Sequence, residues 1–313
     1  MKKTFTIRPI YISLGLFVAI VAFFGIVNPS FISAYNAVTV LNAAIILLAV
    51  GAGQAFVILT GGIDLSVGSI MSLVSIVFML SVGPIGAWAY LLVIVIGTAS
   101  GLLNGLIVSK LRIPSFIATL GTQGILLSLA YLLSAEPLTA PDEAYGLLDL
   151  VNGAIGPIQA VWISGVVIYL VFYYIQRFTQ LGRSIIYIGA NERMSYLSGL
   201  KIDRARIFAF AFSGFGAAVA GVILAATLYS GYPTMGGVYV LNSIATVVVG
   251  GTAMTGGAGG VLNTLVGALI MGVLNNGLTV IGIDVYAQQV FLGVLIIIAV
   301  AVTFDRNKIA IIK

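Results

Sequence analysis

Few side chains in this sequence are of a type that could do chemistry, and Asp64 is the most conspicuous of them. It lies between two long apolar runs, in a segment that we treat as one structural motif: Gly61, Gly62, Asp64, Ser66 and Gly68. In a structural interpretation, Asp64 caps the helix that follows by accepting a hydrogen bond from the backbone N–H of Ser66 or Val67. In a functional interpretation, Asp64 is an acid within the membrane that carries a proton or a cation. The sequence favours the cap, because the two glycines permit a tight turn before it.

Several catalytic and cofactor chemistries are excluded by composition. The chain has no cysteine and no histidine, which excludes disulfides, zinc sites, thiol nucleophiles and histidine general bases, and we expect no metal site. The phosphate-binding pattern GxxxxGK[ST] is absent as well. We therefore expect no cofactor on this chain, and any coupling to ATP and Mg²⁺ requires a separate polypeptide.

Neutral polar side chains are scattered through the apolar runs. They could form hydrogen bonds between helices, or they could line a path for a neutral solute that makes hydrogen bonds. No ring of charged residues suited to an ion or a phosphate is present within these runs. The candidates for such a path are Asn42, Gln54, Asn104, Gln123, Asn242 and Asn275.

A short amphipathic helix is predicted between Asn191 and Gly199. Asn191 is a typical N-cap, Met194 and Leu197 recur on one face, and Gly199 ends the helix. The helix lies in a polar loop and has nothing in its own chain to pack against. It is therefore either an interfacial helix on the membrane surface or a docking element for a cytoplasmic subunit.

The elements that position these residues are membrane spans. The chain is 60% hydrophobic and 7% charged, whereas soluble domains are about a quarter charged. Long apolar runs without alternation predict helices rather than a barrel. The predicted fold class is thus an all-α integral membrane protein, with a single transmembrane domain over residues 1–313. The ten predicted spans are 10–28, 37–59, 66–83, 88–108, 114–134, 159–178, 206–229, 240–254, 260–281 and 288–304.

Lysine and arginine predict the orientation of these spans. If the N-terminus is cytoplasmic, all 14 Lys and Arg fall on the cytoplasmic side, and the C-terminus is cytoplasmic too. The net charge of +5 is therefore explained by topology and does not indicate a nucleic-acid partner. The longest cytoplasmic loop is 179–205. The longest outer loop, 135–158, is either simply solvated or a docking rim for an external partner, and its acidic residues are Glu136, Asp142, Glu143 and Asp149.

Small residues recur at helix-contact spacing in two spans. The fourth span has Gly97, Gly101 and Gly105, and the seventh has Ser213, Ala217, Gly221 and Ala225. Small side chains let helix backbones approach closely in lipid, so these positions are predicted to pack helices rather than to contact a substrate.

Four stretches together resemble a known family: 56–69, 113–121, the loop from Gly182 to Gly199, and 247–260. They look like the membrane permeases of ABC importers in the ribose and branched-chain amino acid permease group, closest to the ribose/xylose/galactose-type branch. The resemblance covers nearly the whole chain. It implies a type II importer-like permease in the bacterial plasma (inner) membrane, with no enzymatic activity of its own.

The same resemblance implies partners and a substrate class. The partners are a second permease subunit (identical or different), two ATPase subunits that bind ATP and Mg²⁺, and an extracytoplasmic binding protein. A monosaccharide would cross between the two permeases as ATP-driven closure rocks the bundle. A nucleoside, a polyol, a furanone-type signal or an amino acid remain alternative substrates, and a secondary transporter or a passive channel remain alternative classes. The residues that correspond to the family's coupling helix are Gly189, Ala190, Asn191, Glu192, Arg193, Met194, Ser195, Leu197, Ser198 and Gly199.

Overall fold

The computed structural model describes residues 9–156 and 158–303. Eight helices in this part are apolar and long enough to cross a membrane: α1 (Pro9–Val27), α2 (Ala34–Leu59), α3 (Val67–Ile85), α4 (Trp88–Lys110), α5 (Ser115–Leu133), α7 (Ala160–Phe178), α10 (Ile202–Leu228) and α12 (Val261–Val280). The other helices are α6 (Tyr145–Asn152), α8 (Gln180–Ala190), α9 (Glu192–Leu197), α11 (Tyr239–Val249) and α13 (Val285–Thr303). The prediction of an all-α membrane protein is confirmed.

Extended structure is limited to four two-residue strands in the described residues. They are β1 (Leu138–Thr139), β2 (Ala154–Ile155), β3 (Ile158–Gln159) and β4 (Ser230–Gly231). Strand β1 pairs antiparallel with β4 and β2 pairs antiparallel with β3. The first pair ties the outer loop to the chain that leaves α10.

Helix α10 lies at the centre of the bundle, packed against α4, α2 and α3. Its contact with α4 depends on the predicted small residues, since a Cβ added at Gly105 would lie 2.7 Å from the backbone of Ile207. Gly97 lies against Ala218 and Gly101 against Gly214 in the same interface. The packing interpretation of these residues is therefore confirmed.

The loops gather at two ends of the bundle. At the end that we call the basic end, Lys110 pairs with Asp203 at 2.8 Å, and the Gly257 N–H donates to the Leu59 carbonyl at 3.0 Å. At the opposite, acidic end, the Tyr90 hydroxyl donates to the Leu147 carbonyl at 2.7 Å. The described Lys and Arg lie in segments of the basic end, and that this end faces the cytoplasm stays a prediction. The residues Lys2, Lys3, Arg8, Arg306, Lys308 and Lys313 lie outside the described part of the chain.

The eighth predicted span, 240–254, is wrong. Helix α11 has only 11 residues, about 16 Å at 1.5 Å per residue, which is roughly half of the hydrocarbon core. It ends where Gly251 adopts a φ of 97°. Before α11, the segment 231–238 runs without a regular helix along the first half of α3, where the Gly236 N–H donates to Ser72 Oγ at 2.9 Å. The eighth crossing is therefore discontinuous.

Candidate functional site

Helix α9 at the basic end is the predicted coupling element, and its local structure follows from its sequence. The Asn191 side chain accepts a hydrogen bond from the Met194 N–H at 2.9 Å, as expected of an N-cap. Gly199 ends the segment with a φ of 77°. Met194 is 57% exposed and Leu197 is 69% exposed. This helix therefore presents apolar side chains that its own chain does not cover.

One ion pair anchors α9 to the bundle, and a local hydrogen bond closes the C-terminal end of α9. The Glu192 carboxylate pairs with the Arg206 guanidinium, on the first turns of α10, at 3.0 Å. Ser195 is buried, and its carbonyl accepts from the Leu200 N–H at 3.1 Å. The ion pair therefore connects α9 to the basic end of the central helix.

Gly189 and Ala190 belong to α8 and not to the coupling helix, which begins at Glu192. Helix α8 was not predicted, although Thr179 is a recognisable N-cap that accepts from the Gly182 N–H at 3.1 Å. Gly189 fits between the end of α2 and the Gly-rich segment 250–260, where an added Cβ would lie 2.6 Å from the Gly257 nitrogen. Only glycine permits this approach, so α8 joins α9 to both segments.

Asp64 is fully buried and forms a local turn. Its Oδ1 accepts from the Ser66 N–H at 2.9 Å and from the Ser66 hydroxyl at 2.6 Å. The predicted bond to the Ser66 N–H is present, but Asp64 is not the N-cap, because α3 begins at Val67 and Ser66 occupies the cap position. The carboxylate therefore holds the turn that precedes the helix.

A buried hydrogen-bond network surrounds this turn. Asn104 Nδ2 on α4 donates to Ser66 Oγ at 2.8 Å, and Gln54 Nε2 on α2 donates to the Asp64 carbonyl at 3.2 Å. The Ser213 hydroxyl on α10 completes it by donating to Gln54 Oε1 at 3.3 Å. Gln54 and Asn104 lie five or six residues inside their helix ends, about 8 Å at 1.5 Å per residue. The turn is thus inside the bundle, and these two path candidates are occupied in holding it.

Helix α5 clamps the other side of the same turn. The Ile63 N–H donates to Ser115 Oγ and the Leu65 N–H donates to Thr119 Oγ1, both at 3.0 Å. Buried backbone donors in a non-helical segment need such partners. The turn is therefore held by α2, α4 and α5 together.

The remaining path candidates lie apart from this network. Asn42 Oδ1 accepts from Trp162 Nε1 at 2.7 Å, and Asn242 Nδ2 donates to the Val238 carbonyl at 2.9 Å. Within the described residues, the buried Oδ1 atoms of Asn242 and Asn275 have no hydrogen-bond partner. Gln123 is half-buried on α5.

The discontinuous crossing has several exposed residues. Thr234, Gly237, Val238 and Leu241 are all exposed on the described chain. Irregular backbone at membrane depth is stable only where protein or a water-filled cavity covers it. This feature was not predicted, although Tyr232–Pro233 and Gly236–Gly237 are breaker signals within the sequence.

The acidic residues of the outer loop differ in their surroundings. Asp149 Oδ1 accepts from the Tyr229 hydroxyl at 2.6 Å, and this hydrogen bond raises the pKa of Tyr229. Glu136, Asp142 and Glu143 are exposed. Asp149 is exposed as well, but it helps to fix the outer loop on the chain after α10, whereas the carboxylates of the other three acids form no hydrogen bond among the described residues.

Comparison with known proteins agrees with this architecture. The family described as branched-chain amino acid transport system / permease component matches residues 36–300. Similar relatives are the ribose import permease protein RbsC of Bacillus subtilis (37% identical, 95% of this chain and 92% of the relative) and the fructose import permease protein FrcC of Rhizobium meliloti (35%, 94% and 85%). The D-allose transport system permease protein AlsC of Escherichia coli is 32% identical over 96% of this chain and 94% of its own length.

No solved structure matches the chain at a significant level. The matched family spans most of the described helices, and the relatives are covered nearly end to end. The chain therefore belongs to the family of sugar and branched-chain amino acid ABC transporter permeases, and it is a multi-pass protein of the bacterial inner membrane.

Proposed function

We propose that this chain is the transmembrane permease subunit of an ATP-driven, binding-protein-dependent importer of a monosaccharide. It works as a pair with a second permease subunit. Two ATPase subunits bind the basic end, and a soluble binding protein delivers the substrate to the acidic end. The relatives support the sugar, because they are named for ribose, fructose and D-allose import.

The observation that carries this proposal is the exposed apolar face of α9. Met194, Tyr196 and Leu197 are each more than half exposed in a loop at the basic end. Large apolar side chains clustered at an exposed site indicate an interaction surface. An ATPase subunit that binds this face can move α10 through the Glu192–Arg206 pair.

The link from α9 to the interior runs through α8. Gly189 lies against Leu59 and Gly257, so a displacement of α8 and α9 shifts the end of α2 and the segment 250–260 together. Both elements lie at the basic end. We infer that this is how ATP-driven closure of the ATPases opens or closes the cytoplasmic end of the permease.

The discontinuous crossing supports a route between two permeases. The exposed residues Thr234, Gly237 and Val238 lie outside any helix and need a cover at membrane depth. A second permease subunit with a polar path between the two copies supplies that cover. The route then passes beside segment 231–238 and not through the network around Asp64, which is closed on all sides.

Co-purification and uptake test the assignment. Because Ser195 is buried and Glu192 is ion-paired, we choose two exposed residues of α9 and combine Met194→Asp with Leu197→Asp. This double variant should lose the co-purifying ATPase and ATP-driven sugar uptake while its helix content is unchanged. The matched control is Leu150→Asp, at an equally exposed leucine of the acidic end, which should keep the ATPase. Retention of ATP-driven uptake by the α9 double variant would refute the proposal.

A further inference from the structure

A polar pocket lies between α7, α8 and the beginning of α12 at the basic end. It has a volume of about 510 Å³, and its polar lining comes from Tyr173, Gln176, Arg177, Arg183, Tyr187 and Asn263. No carboxylate lines it. The pocket is separate from α9 and from the network around Asp64.

Two arginines give this pocket a positive charge. Arg177 lies in the last turn of α7 and Arg183 in the first turns of α8, on either side of the cap at Thr179. Neither guanidinium forms an ion pair within the described residues. The acids Glu192 and Asp203 at this end are already paired with other cations, so the charge of the pocket is not neutralised by the chain.

The floor of the pocket is fixed. Gln176 Nε2 donates to the Gly259 carbonyl at 3.1 Å, and Gln176 Oε1 accepts from the Val261 N–H at 2.7 Å. Asn263 Nδ2 donates to the Gly250 carbonyl at 3.1 Å. The Gln176 amide holds α7 on the segment before α12 and the Asn263 amide is bonded to Gly250, so the charged donors left for a ligand are the two guanidiniums.

The surroundings of the pocket are those of a membrane interface. Tyr174 and Phe178 stack at 5.6 Å between ring centroids, and both are largely exposed beside it on α7. Leu262, on the first turn of α12, is exposed and lines the pocket itself. Aromatic rings gather at the level of lipid headgroups. Charged donors thus lie directly at the end of an apolar, lipid-facing surface.

We propose that this pocket binds the phosphate headgroup of an anionic phospholipid through Arg177 and Arg183. Guanidinium groups match phosphate oxygens in geometry and charge, and basic pockets between membrane helices on the cytoplasmic side are suited to such headgroups. The exposed apolar flank accommodates the acyl chains. It also favours a lipid over a soluble anion, which would leave Leu262 and Phe178 uncovered.

Binding of phosphatidylglycerol to the full chain in detergent tests this proposal, with phosphatidylcholine as the neutral lipid and inorganic phosphate as the soluble anion. Native mass spectrometry and the midpoint of thermal unfolding are the readouts. We expect phosphatidylglycerol alone to bind and to raise the midpoint. The double variant R177Q/R183Q should bind it about 30-fold more weakly, since each basic residue near the surface contributes about 1 kcal/mol.

The matched control K201Q/R204Q removes the same charge at the same end, outside the pocket, and should bind phosphatidylglycerol like the parent chain. Equal loss in both double variants, or equal binding of phosphatidylcholine, would overturn the site. Equal stabilisation by inorganic phosphate would overturn the choice of a lipid. If R177Q/R183Q does not fold, the single variants R177Q and R183Q replace it. Each should bind phosphatidylglycerol about fivefold more weakly than the parent chain. Unchanged affinity in both single variants would overturn the site.

Discussion

Substitutions of Asp64 separate the two interpretations of this residue, as a structural anchor and as a carrier of protons or cations. The Asp64→Ala change removes the acceptor of both the Ser66 N–H and the Ser66 hydroxyl, in a site with no exposure. A buried donor left without a partner costs about 1–3 kcal/mol. Because the hydroxyl can rotate while the N–H cannot, we expect a loss of about 2–4 kcal/mol once the vacated volume is included.

The Asp64→Asn change tests the carboxylate of the same site while it keeps the hydrogen-bond acceptor. Asparagine keeps an oxygen at the Oδ1 position, so the two hydrogen bonds from Ser66 survive, and it removes a carboxylate that is costly to bury. We expect its stability to lie within about 1 kcal/mol of the parent chain. An exposed carboxylate serves as the control, because Asp142→Ala should change stability by less than about 0.5 kcal/mol.

The assay combines unfolding of the purified chain in detergent with ATP-driven uptake in vesicles, normalised to folded protein. If Asp64 is an anchor, the asparagine variant transports like the parent chain and the alanine variant loses folded protein. A folded, stable asparagine variant without uptake would refute the structural interpretation. That result would indicate instead that the Asp64 carboxylate takes part in transport.

Three further changes test other parts of the architecture. Gly105→Ala should destabilise the bundle by about 1–3 kcal/mol in thermal unfolding, because its Cβ meets the backbone of α10, whereas Gly121→Ala, with open space around it, should not. Asn191→Ala should cost about 1 kcal/mol of helix capping and speed hydrogen exchange in α9 about fivefold, an effect that Asn191→Asp should avoid. Reversing the charges of Asp142 and Glu143 should weaken docking of the binding protein at low salt and less so at high salt; unchanged low-salt affinity would contradict a docking role.

Features with local causes could be predicted from the sequence. The apolar runs located eight predicted spans on helices long enough to cross a membrane, and the tenth predicted span on α13, which has 19 residues. Asn191 and Gly199 act at the ends of α9 as their side-chain chemistry dictates. Gly105 packs α4 on α10 because only a residue without a side chain allows two backbones to approach so closely.

Features that depend on distant residues could not be predicted. The cap at Asp64 was placed wrongly because Asn104, Ser115 and Thr119 come from other helices and hold the chain in a turn up to Ser66. Gln54 was predicted to line a substrate path because the sequence does not show its hydrogen bonds to Asp64 and Ser213. A polar side chain in an apolar run indicates a hydrogen bond, but it does not indicate with which element.

The break before α11 shows a second kind of feature that the sequence could not predict. The Pro and Gly residues of 231–238 mark this segment as a break in the sequence, but they do not show that it runs into the bundle beside α3. The Ser72 hydroxyl accepts from the Gly236 N–H, and the backbone at Gly68 and Ser75 lies close to this segment, which runs along α3 as a series of turns. Tertiary contacts on one helix therefore decide the conformation of a segment more than 150 residues away.

The position of the irregular segments suggests how a force at α9 would be distributed. Helices α2, α3 and α10 are joined by close backbone contacts, as at Gly53 and Gly216, and a packed interior of this kind moves as one body. The segments 60–62 and 250–260 lie at the basic end of that body, where Leu59 at the end of α2 and Gly257 lie against Gly189 of α8. Their backbone bends at glycines with positive φ, among them Gly61 and Gly256. If α9 is the coupling helix, as proposed, these glycine-rich bends should change before the helices deform, which places the moving parts of the permease at its basic end.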